Sequence, residues 1–338
     1  MAQDHRTTLS DVANAAQVSV ATVSKVVNGK TDISSDTREK VEQAIEQLGY
    51  FHSKQSNHPS EFIDMAFHHL DSSWTIDLLR GATEALKPSH ARIVVSQANS
   101  TEELCGEWLE EVAARRPLGV IVVFSKPTIT LAKRLASRQI PCVYLDPWGT
   151  PASGPGIMSV QTDNWSGGVF ATRHLIELGH RAIATITGPT SVMCANARLD
   201  GYRNALTEAG IPVQEKYIRR GEFTQDSGYT LAMDLLEQDD RPTAIFAQSD
   251  FLAFGVYRAA HVLNLRIPQD LSVIGYDDIP TSQLLTPPLT TIAQPTSQMA
   301  AAAVHMIQDY RAGKSVDERL IMPTSLVLRE STAAPATL

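Results

Sequence analysis

Several acidic, hydroxyl and aromatic residues lie at the end of a short apolar run or within a few residues after it. They are Asp71, Ser73, Trp74, Trp148, Ser249, Asp250 and Asp277. Carboxylates and hydroxyls pair with the hydroxyl groups of a sugar, and an aromatic ring packs against its C–H face. The set therefore predicts a binding site for a polyol, although Asp250 could equally cap a helix that begins at Phe251.

No motif in the sequence points to catalysis or to a bound metal. The chain has no GxSxG elbow, P-loop, HExxH or CxxC pair, and no nucleophile accompanies the strand-end carboxylates. The three cysteines are scattered, and His68 and His69 alternate across a predicted strand, so they cannot share one metal. We expect a cytoplasmic protein that is not an enzyme and needs no cofactor.

The elements that must position these side chains alternate from residue 62 onward. The apolar runs form two series, FIDMAF, ARIVVS, LGVIVVF and IPCVYLD, then AIATIT, TAIFAQ and LSVIGYD, with amphipathic helical stretches between them. Strand-helix alternation is typical of parallel sheets covered on both faces. Two series predict an α/β body of two doubly wound lobes, with the ligand at the carboxyl ends of the strands. Trp108 lies in an amphipathic helix and is expected in the core, whereas Trp165 could line the cleft or pack.

The first fifty residues predict three short helices. Apolar positions repeat at helical spacing in TLSDVANAA, where Thr8 and Asp11 have the spacing of a capping box. Ser19 can cap a second helix that begins at Val20, and a third amphipathic segment follows Ser34. The spacing suits a helix-turn-helix that binds DNA and, equally, a three-helix docking module. The net charge of −8 does not by itself indicate a nucleic-acid partner.

The segment TLSDVANAAQVSVATVSKVVNGKTDISSDTREKVEQAIEQLGY closely resembles the headpiece of the lactose/galactose repressor family. GGVFATRHLIELGHRAIATITGP, ARLDGYRNAL, SVIGYDDIP and PPLTTIAQP are similar to its effector domain, which shares its fold with periplasmic sugar-binding proteins. The resemblance covers nearly the whole chain. It implies a sequence-specific repressor of sugar-metabolism genes that binds a pseudo-palindromic operator as a homodimer and a mono- or disaccharide in its cleft.

The resemblance also assigns residues. Val20 and Ala21 would contact bases through apolar groups, Lys25 would donate to guanine, and the remaining polar positions would fix the register on phosphates. The implied DNA-binding set is Thr8, Ser19, Val20, Ala21, Thr22, Ser24, Lys25 and Asn28. In the effector domain, Arg198 and Phe223 match family pocket positions, and Gln294 lies at a crossing between the lobes.

Two features depart from the family pattern. Gln17 occupies a turn position where the family usually has glycine, which predicts left-handed strain of roughly 1 kcal/mol. The linker is short and contains no leucine between Tyr50 and Phe62, so the usual hinge helix that wedges a leucine into the minor groove is missing or altered.

The predicted organisation is a headpiece (1–50), a shortened linker (51–61), an effector domain (62–330) and a disordered tail (331–338). Within the effector domain, the N-lobe spans about 62–161 and 292–323, and the C-lobe about 162–291, with crossings near Gln161-Thr162, Thr291-Ile292 and Pro323. Two alternatives stay open. One is a purine- or nucleoside-responsive regulator on the same fold, and the other is a free-standing sugar receptor, against which the headpiece and the lack of a signal peptide argue.

Overall fold

The computed structural model describes residues 8–27, 33–48, 61–68, 70, 73–98, 100–151 and 153–336. The chain forms two compact units, Met1–Pro59, here called the headpiece, and Ser60–Leu338, here called the body. The headpiece contains α1 (Leu9–Ala16), α2 (Val20–Val27) and α3 (Ser35–Gln47). Their inward faces form one small apolar core of Val12, Ala13, Ala16, Val23, Val26, Val41 and Ala44.

The local signals in the headpiece sequence are confirmed. Thr8 Oγ1 accepts a hydrogen bond from the Asp11 amide, and the Asp11 carboxylate accepts one from the Thr8 amide at 2.7 Å, which completes the capping box. Ser19 Oγ accepts from the Thr22 amide at 3.1 Å at the start of α2. Gln17 ends α1 with φ of 54°, in the left-handed region that carries a steric cost for a residue with a Cβ.

The first sheet of the body, in the N-lobe, is wholly parallel. It contains β1 (Phe62–Phe67), β2 (Arg92–Gln97), β3 (Gly119–Val123), β4 (Cys142–Leu145), β5 (Ile157–Thr162) and β11 (Arg319–Met322), in the order β11-β5-β4-β3-β1-β2. Its helices are α4 (Ser73–Leu86), α5 (Thr101–Cys105), α6 (Glu107–Arg115), α7 (Ile129–Ser137) and α12 (Thr296–Arg311). Two apolar cores, one on each face, bury the β-branched runs, and Trp108 lies in one of them as predicted.

The second sheet, in the C-lobe, repeats the design. It contains β6 (Ile183–Thr187), β7 (Ile218–Arg220), β8 (Ala244–Ala247), β9 (Ser272–Asp277), β10 (Thr290–Ala293) and β12 (Ser325–Val327), in the order β7-β6-β8-β9-β10-β12. Only β12 runs antiparallel, beside β10. Its α-helices are α8 (Asn164–Glu177), α9 (Met193–Glu208), α10 (Gln225–Leu236) and α11 (Asp250–Val262), and two 3-10 helices span Glu215–Tyr217 and Pro280–Leu284. The two-lobed α/β prediction is therefore confirmed.

The chain crosses between the lobes three times. It leaves the first sheet after Thr162, returns to the first lobe after Ala293, and reaches the second sheet again after Met322. The second crossing comes later than the predicted Thr291-Ile292, because all four residues of β10 still pair with β9.

The carboxyl-terminal segment is anchored, and the prediction of a disordered tail from Ser331 is wrong for the residues described. Ser331 is buried, donates from Oγ to the Val273 carbonyl at 2.6 Å and accepts from the Thr290 amide at 2.8 Å. The Ala333 carbonyl lies 2.9 Å from His180 Nε2. Within the described ranges, no helix combines the length and the apolar character that crossing a membrane requires.

Candidate functional site

A cavity of about 400 Å³ lies between the two lobes of the body, at the carboxyl ends of their strands. It brings together six of the residues that the sequence selected, namely Trp74, Arg198, Phe223, Ser249, Asp277 and Gln294. Neither Ser73 nor Trp148 lines the cavity, although Ser73 precedes the lining residue Trp74 in sequence. Asp71 lies outside the described residues. Trp165 is exposed on α8 and does not line it either.

Arg198 is the most firmly held polar side chain in the cavity wall. It is 3% exposed, donates from Nε to Asn164 Oδ1 at 2.8 Å and from Nη1 to the Gln248 carbonyl at 2.6 Å. Its guanidinium carbon lies 3.6 Å from the centroid of the Tyr276 ring. These contacts hold a planar fork of donors in one orientation, which lowers the entropy that ligand binding would otherwise cost.

Two carboxylates face this guanidinium. Asp277 Oδ1 lies 3.8 Å from Arg198 Nη1 and accepts a hydrogen bond from Gln294 Nε2 at 2.6 Å. Burial raises the pKa of Asp277 to about 6, although Arg198 and Gln294 act in the opposite direction. Burial also raises the pKa of Asp146 above its usual value, against the attraction of Arg198. One cation therefore faces two acids, and the carboxylates are placed to accept from ligand hydroxyls.

Three residues with an unusual backbone conformation lie at the same place. Phe124, Asp146 and Asp277 all line the cavity and have φ of 44°, 47° and 116°, values that residues with a Cβ rarely adopt. Asp146 and Phe124 directly follow β4 and β3, and Asp277 is the last residue of β9. Strained residues of this kind persist where the surrounding structure fixes them, and they cluster at ligand sites.

Aromatic rings make up much of the remaining wall of the cavity. The ring centroids of Trp74 and Phe124 are 6.2 Å apart, and those of Phe124 and Phe223 are 6.3 Å apart. Trp148 packs edge-on against Phe124 at 5.6 Å, so it supports this wall from behind. The Trp148 carbonyl also accepts from the Met193 amide at 2.8 Å, which joins the two lobes beside the rings.

Asp250 has a different place from either role proposed for it. Ser249 caps α11, because its Oγ accepts from the Leu252 amide at 3.2 Å. Asp250 is fully buried outside the cavity wall and accepts from the Ile279 amide, Ser282 Oγ and Thr291 Oγ1 at 3.0, 2.6 and 2.6 Å. Its carboxylate therefore joins α11 to the segments that follow β9 and form β10.

Ten cavity residues were not selected from the sequence as site residues. They are Phe67, His68, Thr75, Val123, Phe124, Asp146, Cys194, Thr224, Gln225 and Phe251. Asp146 ends the run YLD as Asp277 ends VIGYD, so the same strand-end rule could have found it. His68 also lines the cavity and contributes a polar ring to its wall.

In the headpiece, α2 presents one exposed face beside its buried one. Val20, Ala21 and Lys25 are exposed, whereas Val23 and Val26 fill the core. Thr22 and Ser19 share a hydroxyl hydrogen bond of 2.8 Å, and Ser24 is half-buried. Thr8 is engaged by Asp11, and Asn28 lies outside the described residues. The exposed residues at the start of α2 therefore lie outside the apolar core of the headpiece.

Comparisons with known proteins match both units. Residues 8–53 match the family described as bacterial regulatory proteins, lacI family, and residues 172–332 match the periplasmic binding protein-like domain. The HTH-type transcriptional repressor PurR of Edwardsiella ictaluri is 37% identical over 343 aligned residues, which cover 96% of this chain and 97% of that protein.

Two solved structures are similar over nearly the full length. The transcriptional regulator CelR in complex with cellobiose has a TM-score of 0.74 and 32% identity, with 96% of this chain and 100% of that chain covered. The lac repressor dimer bound to operator and the anti-inducer ONPF has a TM-score of 0.73 and 30% identity, with 97% and 99% covered.

Proposed function

The chain belongs to the LacI family of bacterial regulatory proteins, and on that premise we propose that it represses sugar-metabolism genes in response to a sugar. Two copies would pair and place their headpieces on the two halves of a pseudo-palindromic operator. The similarity to a lac repressor solved as an operator-bound dimer supports this arrangement. Action on DNA in a bacterium also supports a cytoplasmic location, and repressor relatives support a regulator without catalysis.

The observation that carries the sugar assignment is one cavity in which Asp146 and Asp277, at strand ends, face Arg198 of α9. Carboxylates accept from vicinal hydroxyls and the guanidinium donates to ring and hydroxyl oxygens. The rings of Trp74 and Phe223, which line the same cavity, offer faces for the C–H side of a sugar.

The headpiece would read DNA through the exposed start of α2. Val20 and Ala21 suit thymine methyl groups, and Lys25 suits the acceptors of guanine in the major groove. Ser19, Thr22, Ser24, Asn28 and Thr8 would then contact phosphates. Because residues 1–58 hold six Lys or Arg and seven Asp or Glu, nonspecific affinity should be weak, and binding should depend on both half-sites together.

The switch would use the crossings between the lobes. Gln294 follows β10, at the second crossing, and donates a hydrogen bond to Asp277 in the cavity. It also accepts a hydrogen bond of 3.1 Å from Thr162 Oγ1, at the first crossing. A ligand that binds Asp277 therefore acts on Gln294, which lies at the second crossing and is hydrogen-bonded to the first. Operator affinity changes only if the effector binds the DNA-competent and incompetent states unequally.

A purine- or nucleoside-responsive regulator is the second candidate, and the aromatic wall favours it. The aromatic rings of Trp74, Phe124 and Phe223, which meet edge-on or tilted, would suit a planar base, and Asp277 and Arg198 could recognise the polar edge of that base. The same experiment separates the two candidates.

That experiment is a thermal-shift screen of the purified full chain with mono- and disaccharides, nucleobases and sugar phosphates. A ligand at 100 times its Kd should add about 2.7 kcal/mol to the free energy of unfolding. The screen is repeated with Arg198→Ala and with the control Arg203→Ala, which removes an arginine from the outer side of the same helix. A sugar response lost only in Arg198→Ala supports the proposal, and a response to purines alone contradicts it.

A further inference from the structure

A second concavity lies at the amino ends of the N-lobe strands, on the pole of the body that is opposite the cleft. It measures about 360 Å³, and its wall includes Lys87, His90 and Arg92, all of which are exposed. Lys87 directly follows α4, and Arg92 is the first residue of β2. This concavity, here called the basal recess, shares no residue with the cleft and is basic.

The cations of the basal recess are only weakly neutralised. Arg92 donates from Nη1 to the His90 and Ala91 carbonyls, both at 3.0 Å, which holds its guanidinium against the loop before β2. Among the described residues, neither Arg92 nor the His90 ring is paired with a carboxylate. Lys87 forms an ion pair of 2.7 Å with Glu84, but both side chains are more than half exposed, and such a pair is weak. The Lys87 ammonium and the remaining donors of Arg92 are therefore available to an anion.

Arg311 places a further cation on the same pole. It is the last residue of α12, is exposed, and donates to the Leu118 carbonyl at 2.6 Å and to the Pro117 carbonyl at 3.1 Å. Phe62 lies between the two groups, because its carbonyl accepts from the Leu118 amide and its other neighbour is Arg92. Since adjacent strands are about 4.8 Å apart, Arg92 and Leu118 are separated by about 10 Å. A DNA strand carries one phosphate per about 3.4 Å of helix axis, so this distance spans several phosphates.

The linker enters the body beside the basal recess. The Glu61 carbonyl accepts a hydrogen bond from the Arg92 amide at 2.7 Å, and β1 begins at the next residue, Phe62. Residues 49–60 can span at most about 45 Å, because an extended chain covers no more than about 3.6 Å per residue. A duplex held by the headpiece is therefore tethered to this pole of the body by a short segment.

The headpiece itself offers little net attraction to phosphates. Residues 1–58 contain six Lys or Arg and seven Asp or Glu, and the whole chain has a net charge of −8. Attraction to a duplex depends on cations within about 10 Å of its phosphates, because salt screens those that are more distant. Cations on a second surface that reaches the same duplex would supply the attraction that the headpiece lacks.

We propose that the basal recess and Arg311 bind backbone phosphates of the duplex that the headpiece holds, so that the body contributes directly to operator affinity. The inference rests on the proposed function, since the headpiece must first bind DNA. Arginine and lysine donate charge-assisted hydrogen bonds to phosphate oxygens, and these contacts add affinity without reading sequence. In a homodimer each copy would carry one such surface.

The test is fluorescence anisotropy of the full chain over a range of salt concentrations, on a duplex enriched from a random pool by the wild-type protein and on a scrambled duplex. The variant is Lys87→Gln/Arg92→Gln. The control Lys216→Gln/Arg258→Gln removes two exposed, ion-paired cations of the C-lobe and changes the net charge equally. We expect the variant to reduce the slope of log Kd against log salt by about 1–2, because each phosphate contact contributes about 0.9.

The variant should also raise the Kd of both duplexes at least about fivefold at roughly 100 mM salt. The ratio of the two Kd values should stay within about twofold, because phosphate contacts carry no sequence information. The control should leave the slope and both Kd values within about twofold of wild type. A role of Lys87 confined to the carboxyl end of α4 would instead lower Tm and leave the salt slope unchanged.

An unchanged slope in Lys87→Gln/Arg92→Gln, or an equal loss in the control, overturns this proposal while DNA binding by the headpiece stands. Failure of the wild-type chain to bind either duplex overturns the proposed function as well. A thermal shift by inorganic phosphate that the variant loses, with DNA binding unchanged, assigns the recess to a free anion and overturns the contact with DNA. If the double variant fails to fold by circular dichroism, Lys87→Gln alone, whose side chain is 66% exposed, supplies the same comparison.

Discussion

Asp250 should be among the most stabilising polar residues of the C-lobe, because its buried carboxylate accepts three hydrogen bonds, two from the segment that follows β9 and one from β10. Asp250→Ala leaves the Ile279 amide without its acceptor, at a cost of about 1–3 kcal/mol, and the two hydroxyls lose roughly 1 kcal/mol each if they rotate to weaker partners. Removal of a buried carboxylate offsets part of this loss, since burial raises the pKa of Asp250 to about 7. The expected net loss is about 3 kcal/mol.

The assay is urea unfolding of the full chain, followed by tryptophan fluorescence and far-ultraviolet circular dichroism. For a domain of 150–250 residues a loss of 3 kcal/mol also lowers Tm by about 6–12 °C. Asp250→Asn, which keeps one acceptor, should lie between Asp250→Ala and wild type. Asp226→Ala is the matched control, because that carboxylate is 92% exposed beside Arg258 and should change stability by less than about 0.5 kcal/mol. A loss below about 1 kcal/mol in Asp250→Ala would refute the reasoning.

Three further predictions concern the pocket, the headpiece and the carboxyl terminus. Because burial raises the pKa of Asp277 from its usual 3.8 to about 6, the folded protein binds this proton more tightly than the unfolded chain does. The free energy of unfolding should therefore fall as pH rises from about 4 to 6, by up to about 3 kcal/mol for this group. Asp277→Asn should flatten that fall in urea titrations, and an unchanged slope would contradict the assignment. Gln17→Gly should raise the stability of the headpiece by roughly 0.5–1 kcal/mol in thermal melts by relieving the left-handed φ of 54°, and a destabilised headpiece would show that no strain is stored there. Truncation after Glu330 should lower the Tm of the body by several degrees, since Ser331 no longer bonds Val273 and Thr290; an unchanged Tm would restore the prediction of a loose tail.

Much of the fold could be predicted from the sequence because its signals are local and repeated. Buried runs such as GVIVV alternate with amphipathic helices, and that alternation alone specifies covered parallel sheets. The capping box at Thr8 and the left-handed turn at Gln17 likewise depend on neighbouring residues only. The second crossing was misplaced by about two residues, because the end of β10 depends on its register with β9 rather than on its own composition.

The site was harder to predict where side-chain direction depends on distant packing. Asp250 comes shortly after β8 and Asp277 is the last residue of β9, so both have the sequence position of a strand-end ligand. The Asp250 carboxylate is nevertheless bonded to Ile279 and Thr291, which are remote in sequence. Phe124 reaches the cavity through a left-handed backbone that no local motif predicts for a phenylalanine. Ser331 is ordered by acceptors and donors that lie more than forty residues away in the chain.

The central claim is that the cavity of the body controls the affinity of the headpiece for a specific operator. The direct measurement begins with selection of binding sequences from a random duplex pool by the full chain, followed by fluorescence anisotropy on the enriched duplex at one fixed salt concentration. We predict an enriched pair of inverted half-sites, weaker binding by Lys25→Ala, and at least a tenfold change in operator Kd when the sugar found by thermal shift saturates the cleft. Arg198→Ala should bind the same duplex and not respond. No enriched sequence, or an operator Kd that saturating sugar leaves unchanged, would contradict the account.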